Sequence, residues 1–312
     1  MPLVYLRKFG LLLLVLIVTV TMLLKINLPG ESQLMHSLQD SGHFLIFALL
    51  TLVALWSYRQ LSAGPLWPVA VVIFLFGIAM EAVQSLIGRE PSLYDIFMDL
   101  LGIAAGAMFY AGFIGRSVSI RRTMAALLIL TLAAFSQPMQ WLLIYQVRAD
   151  YFPRLIDPDS YFSRALIEGD QGGEVRYIDL PAEWSLPLDT GSDSCAYVSL
   201  HKGRWPGLDI QDPEPDWRGY ESLELSIYSD QSTALPLVLR INDEDHNRLS
   251  DDRYSRRLLV QPGYNHFSLP LSEIAEAPRA RTMDLGDISD VMIFTSPEYV
   301  GSGFCLLAAG LH

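Results

Sequence analysis

Five apolar stretches fill the first 147 residues, at about 10–25, 43–58, 66–87, 94–114 and 123–147. A helix needs roughly 17–25 apolar residues to cross about 30 Å of hydrocarbon. Lipid satisfies no backbone group, so each segment must close its own hydrogen bonds as a helix. The first half of the chain is therefore expected to be a transmembrane bundle of five spans. The first stretch, preceded by Arg7 and Lys8, has the outline of a signal peptide. Yet Lys25-Ile26-Asn27-Leu28-Pro29 offers no small-x-small cleavage site and four spans follow, so it reads as an uncleaved helix.

Composition changes after these spans. Residues 1–148 carry nine Lys/Arg against six Asp/Glu, net +3, whereas residues 149–312 carry thirteen against twenty-eight, net −15. A membrane half thus precedes an acidic soluble half large enough for one core. An acidic domain repels phosphate backbones, which argues against nucleic acid as a partner. Arg7, Lys8, Arg59, Arg116, Arg121 and Arg122 fall on one side of the spans. The positive-inside rule makes that side cytoplasmic. An odd number of spans then places residues 149–312 outside the cytoplasm, in an integral protein of the plasma membrane. Trp141 and Tyr145 suit an interfacial aromatic belt near the end of span five. The two cysteines, Cys195 and Cys305, lie in the exported half, in an early and in the last strand candidate. Oxidising surroundings favour a disulfide between them.

Charge is costly near hydrocarbon, so an ionisable residue inside a span is a functional-site candidate. His43, Glu81, Arg89, Asp95 and Asp99 cluster toward the outer face. Glu81 lies six residues inside span three, about 9 Å at the helical rise, and Asp99 lies at matching depth in span four. Glu81 and Gln84 share a helix face, as do Asp95, Asp99 and Gly102. Gly102-x-x-x-Gly106 extends that stripe as a small-residue surface that lets a neighbouring helix approach closely. The short 88–93 connection makes spans three and four antiparallel neighbours, and span two opens with His43. Two carboxylates at one depth call for a cation or a shared proton, with Arg89 and His43 at hand. The alternatives are a pocket holding a headgroup, phosphate or metal, and a polar network that only locks packing. No motif with metal-ligand spacing is present and no metal site is assigned.

Asp40-Ser41-Gly42-His43-Phe44, Glu81-x-x-Gln84, Arg89 and Asp95-x-x-x-Asp99-x-x-Gly102-x-x-x-Gly106 resemble the VanZ-like membrane proteins over residues 35–115. The family often has Asn where this chain has Asp99, and its acidic residue before the histidine often sits one position further away. The resemblance implies a cell-envelope setting, with glycopeptide-antibiotic tolerance as the trait of the founding member. It implies no reaction.

Residues 149–173 read as a stalk, with Tyr151-Phe152-Pro153, Asp157-Pro158-Asp159 and Gly169-Asp170-Gln171-Gly172-Gly173. Beyond them, runs such as Ala196–Leu200, Leu223–Tyr228 and Leu237–Ile241 alternate with period two. Turn residues punctuate them about every ten positions, which predicts an all-β antiparallel sandwich over 174–312. The pattern Arg204-Trp205-Pro206-Gly207-Leu208, Asp216-Trp217-x-Gly219-Tyr220, Leu239-Arg240-Ile241-x-Asp243, Asp252-Arg253-Tyr254 and Pro262-Gly263-Tyr264-Asn265 resembles jelly-roll, galactose-binding-like domains, carbohydrate-binding modules among them.

Sugar rings stack on aromatic faces while polar side chains take their hydroxyls. Trp205, Trp217, Tyr220 and Tyr254 are the platform candidates, and Arg240, Asp243 and Asp252 the hydrogen-bonding ones. The favoured reading makes Trp217 and Tyr220 core or strand-edge anchors, and leaves Trp205 beside Pro206 and Tyr254 in a charged loop as the better candidates for exposure. Asp243-Glu244-Asp245 with Asp251-Asp252 offers oxygen ligands for Ca²⁺, although the missing EF-hand spacing favours a solvated loop. No phosphate loop, Cys-x-x-Cys, His-Glu-x-x-His or Gly-x-Ser-x-Gly occurs. The expected function is an envelope membrane protein presenting a glycan-binding sandwich rather than an enzyme. The alternative is a membrane enzyme or transport element for a lipid-linked substrate. In that case His43 or Glu81 is the base, Asp95 and Asp99 are polar anchors, and Arg89 is the phosphate clamp.

Overall fold

A computed structural model describes residues 2–23, 32–61, 65–86, 92–187 and 193–312, apart from the side chains of 2–9, 21–23 and 60–61. The chain divides into two compact units, Met1–Leu142 and Leu143–His312.

The first unit is helical: α1 (Pro2–Leu23), α2 (Gln33–Leu61), α3 (Trp67–Leu86), α4 (Leu93–Phe109), α5 (Ile120–Ala134) and the start of α6 (Ser136–Tyr151), with a π-helical turn at Tyr110–Ile114. Three helices among the described residues are long and apolar enough to cross a membrane: Gln33–Arg59, Trp67–Leu86 and Leu93–Ile114. Helices α5 and α6 add a fourth if they form one span broken by a 51° bend, and the apolar part described for α1, Gly10–Val20, is shorter than a span. Five expected spans are therefore matched by three, or by four with the bent pair.

The bend has a chemical cause. Pro138 has no N–H to give Ala134, and its ring crowds that carbonyl. Ser41 Oγ donates to Ala134 O at 2.9 Å instead. Helix α2 also begins ten residues before the expected start, so His43 lies nearly three turns inside it rather than at its mouth. Ser37 and Ser41 enter the span because their hydroxyls bond the carbonyls of Leu34 and Ser37, at 2.8 and 2.9 Å.

Helices α2 and α4 meet backbone to backbone. A Cβ on Gly102 would lie 2.5 Å from Phe44 O and 2.9 Å from Phe47 Cβ, and one on Gly106 would strike Ala48 O and Thr51. The α3 stripe of Ile73, Gly77, Met80, Glu81 and Gln84 is buried, as is the α4 stripe of Asp95, Met98, Asp99, Gly102 and Gly106.

The second unit is a sandwich of two antiparallel five-stranded sheets. One runs β1 (Ile167–Asp170), β4 (Gly207–Gln211), β9 (Ile288–Phe294), β6 (Leu235–Asp243), β7 (Tyr254–Val260). The other runs β2 (Gly173–Asp179), β3 (Ser194–Leu200), β10 (Gly303–Leu311), β5 (Ser222–Ser229), β8 (Gly263–Pro270). Alternate residues fill the core, including Leu223, Leu225 and Ile227 of β5 and Leu235, Leu237, Leu239 and Ile241 of β6. Cys195 and Cys305 are disulfide-bonded between β3 and β10, with Cα atoms 5.9 Å apart.

Residues 149–173, expected as a stalk, are built into this unit. Leu155, Ile156 and Ile167 join its core, and Leu155 N–H and Pro153 O bond Ala309 O and Leu311 N–H at 2.8 and 2.9 Å. Tyr145, expected in a membrane belt, donates to Asp212, and Arg148 pairs with Glu214 at 3.0 Å.

Because overpacking a tight contact costs about 1–3 kcal/mol, Gly102→Ala is expected to destabilise the detergent-solubilised protein by that amount. Gly10→Ala, which meets nothing within 4 Å, serves as the control with no loss. Thermal unfolding followed by size-exclusion fluorescence distinguishes them.

Candidate functional site

The glycine contacts bring the ionisable residues of the bundle together. His43 of α2 lies with Nδ1 2.9 Å from Asp99 Oδ1 and Nε2 3.9 Å from Asp95 Oδ2, both on α4. Gly77 of α3 leaves the room that Asp99 fills, since a Cβ there would sit 2.5 Å from Asp99 Oδ2. From α3, Glu81 Oε2 accepts the Ser92 N–H at 3.0 Å. Ser92 in turn caps α4 through its hydroxyl to the amides of Tyr94 and Asp95, at 3.1 and 3.2 Å. One ligand atom from each of His43, Glu81 and Asp95 lies within 4.8 Å of the others. Glu81, Gln84, Asp95 and Asp99 are all buried. Among the described residues, Glu81 Oε1, Asp95 Oδ1 and Asp99 Oδ2 have no hydrogen-bond partner. Among the described residues, His43 is the one basic group that pairs with these carboxylates. Arg89 lies outside the described residues.

The sandwich disperses its expected sugar platform. Trp217 is 0 % exposed and donates its indole N–H to Glu214 O at 2.7 Å. Tyr254 is buried, and Tyr220 packs edge-on against Phe152 with centroids 5.4 Å apart. Trp205 is exposed, edge-on to Phe294 of the β1-β4-β9-β6-β7 sheet. Arg240 lies half-buried, 4.0 Å from Asp290. Asp243 and Asp252 are buried around Arg281, which bonds both carboxylates of that pair, at 2.5 Å to Asp243 Oδ1 and 2.7 Å to Asp252 Oδ1. A guanidinium thus stands among the oxygens considered for Ca²⁺.

A different aromatic set lies on the face of the β2-β3-β10-β5-β8 sheet turned away from the main core, half-buried against Cys195, Cys305 and Leu307. The strand registers align Arg176, Tyr197, Cys305, Tyr228 and Tyr264 in one row across all five strands. Trp184, from the segment after β2, stacks on Tyr228 with centroids 3.9 Å apart and planes 12° off parallel. Polar groups flank the row. Tyr264 Oη is 3.1 Å from Ser226 Oγ, and Ser226 Oγ is 3.3 Å from His266 Nδ1. His266 Nε2 pairs with Glu224 at 2.8 Å. Tyr197 donates to Asp230 at 3.1 Å. Sequence reasoning passed over these residues, since each tyrosine is isolated in its own strand and only the registers align them.

No family model matches the chain, and no curated protein matches it. Several solved structures are similar. A family 11 carbohydrate-binding module from Clostridium thermocellum, in complex with a β-1,3-1,4-mixed-linked tetrasaccharide, shares 14 % identity over 46 % of this chain and 86 % of its own, with a TM-score of 0.35. An exo-β-agarase shares 13 % over 51 % and 24 %, with a TM-score of 0.40. An arabinose-bound family 51 α-L-arabinofuranosidase shares 10 % over 51 % and 28 %, with a TM-score of 0.36.

Two carboxyls of the sandwich respond to pH in opposite senses. Burial, with Asp290 beside it, pushes Asp209 of β4 far above the carboxylate range. Hydrogen bonds from Arg281 hold Asp252 below it. A raised group contributes stability below its unfolded pKa, about 3.9, and loses it as pH rises, while a depressed group does the reverse. Asp209→Asn is therefore expected to raise the unfolding temperature at pH 7 and leave it unchanged near pH 3. Asp252→Asn is expected to lower it at pH 7, by an amount that shrinks below about pH 4. Circular-dichroism melts across pH check both signs.

Proposed function

We propose that this is a cell-envelope membrane protein that presents its β-sandwich outside the cytoplasm and binds glycan there. The contact surface is the outer face of the β2-β3-β10-β5-β8 sheet. The aligned row of Tyr197, Tyr228 and Tyr264 carries the reading. Rigid aromatic rings offer stacking area at low entropic cost, and flanking His266, Glu224, Ser226 and Arg176 suit ring hydroxyls. The Cys195–Cys305 disulfide supports an oxidising compartment, as does the Lys/Arg bias of the loops. The resemblance of residues 35–115 to VanZ-like proteins belongs to the same reading, with glycopeptide tolerance as its setting.

The full-length protein in detergent, applied to an array of envelope and plant-type glycans, tests this. Tyr264→Ala and Tyr228→Ala are expected to weaken retention at least about tenfold, the scale of an interface anchor, while Trp205→Ala leaves it unchanged. Absence of retention on every glycan by the unmutated protein refutes the proposal. A periplasm-active reporter fused after His312 is expected to be active.

The assembled His43–Glu81–Asp95–Asp99 centre favours a second reading, in which the bundle acts on a lipid-linked envelope substrate. There, Glu81→Gln is expected to abolish the cellular phenotype while insertion and size-exclusion profile stay intact. Loss of insertion instead marks the cluster as a packing device.

A further inference from the structure

We infer that His43, Glu81 and Asp95 bind a divalent first-row transition cation, such as Zn²⁺ or Mn²⁺, inside the helical bundle, with Asp99 orienting the histidine. The site rests on four observations. Three helices each bring donors to one point, with ligand atoms from His43, Glu81 and Asp95 mutually within 4.8 Å. Metal–ligand bonds of about 2.0–2.2 Å put two donors on one ion about 3.3–3.6 Å apart at tetrahedral angles and up to about 4.2 Å apart at wider ones. The 3.9 Å between His43 Nε2 and Asp95 Oδ2 fits that spacing and is too long for a hydrogen bond.

Second, Asp99 Oδ1 accepts from Nδ1 at 2.9 Å. With its hydrogen on Nδ1 held by Asp99, the ring leaves Nε2, 3.9 Å from Asp95 Oδ2, as the nitrogen that can coordinate a metal. A carboxylate behind a histidine is also the arrangement that orients metal-bound imidazoles.

Third, Glu81, Asp95 and Asp99 are 3, 8 and 1 % exposed, and each keeps one oxygen without a hydrogen-bond partner among the described residues. Buried, unsatisfied carboxylate oxygens are expensive, and coordination satisfies them. Fourth, Asp95 and Asp99 pair with the His43 imidazole and Glu81 lies beside it, a concentration of negative charge that a divalent cation would offset. Mixed imidazole and carboxylate donors suit ions between Mg²⁺ and the thiophilic metals. Three protein ligands leave a coordination position for water or a substrate oxygen.

The full-length protein in detergent, stripped with chelator and dialysed against Zn²⁺ or Mn²⁺, tests this by elemental analysis and calorimetry. One ion per chain is expected. Glu81→Gln and Asp95→Asn should weaken it at least tenfold, and Asp99→Asn should weaken it about 10–100-fold through the histidine. His201→Gln, an exposed histidine of the sandwich, should leave it unchanged. Co²⁺ in the unmutated protein should give visible d–d bands of mixed nitrogen and oxygen coordination. Failure to take up one ion, or unchanged affinity in a folded Glu81→Gln protein, overturns the inference. If that variant does not elute as folded protein, the Co²⁺ spectrum of the unmutated chain decides: bands support the site and their absence overturns it.

Discussion

The polar centre of the bundle exists because α2 and α4 lie closer than side chains normally permit. Gly102 and Gly106 remove two Cβ atoms at the points where Phe44 O and Ala48 O press against α4. Lipid tails are as apolar as leucine, so helices in a bilayer gain little from hiding apolar surface. They associate through close packing and polar contacts. Gly77 supplies the same relief on α3, where Asp99 Oδ2 fills the space of the absent Cβ. With these three positions small, His43 reaches Asp99 at 2.9 Å. A methyl group at Gly102 would strike the backbone of His43's own helix one residue on, at Phe44 O, so the packing and the site are a single construction.

Much of this was legible in the sequence because helical spacing is a local rule. Glu81 with Gln84, and Asp95 with Asp99, Gly102 and Gly106, fall on the buried stripes their spacing implies. The start of α2 was not legible, since hydropathy treats Ser37 and Ser41 as polar. In the helix their hydroxyls are spent on carbonyls one turn back and on Ala134 O. The break at Phe135 had a signal in Pro138, four residues beyond the carbonyl it orphans. An averaged apolar run hides it.

In the sandwich the strands were readable and the faces less so. Period-two alternation marks β5 and β6 directly, with Leu223, Leu225 and Ile227 turned inward. Which face of a sheet meets solvent depends on what folds over it, and that is a long-range fact. Tyr254, beside Asp251, Asp252 and Arg253, looks like a surface aromatic, yet it is buried. The row of Tyr197, Tyr228 and Tyr264 is invisible in sequence because its members come from β3, β5 and β8, and a register shift of one residue in any strand would scatter it.

Two buried acidic groups of the protein show how the same residue types reach different ends. In the sandwich, Asp243 and Asp252 close on Arg281, whose planar fork serves both carboxylates at once. All four carboxylate oxygens of that pair accept a hydrogen bond from Arg281. Replacing the guanidinium would strand two buried carboxylates. In the bundle, Glu81, Asp95 and Asp99 gather around one imidazole, and among the described residues three of their oxygens have no hydrogen-bond partner. Buried charges are costly when incompletely paired, so three such carboxylates on two helices need balancing. The sandwich achieves this with an arginine held in its own fold. In the bundle the inferred metal ion would take the part that Arg281 plays in the sandwich.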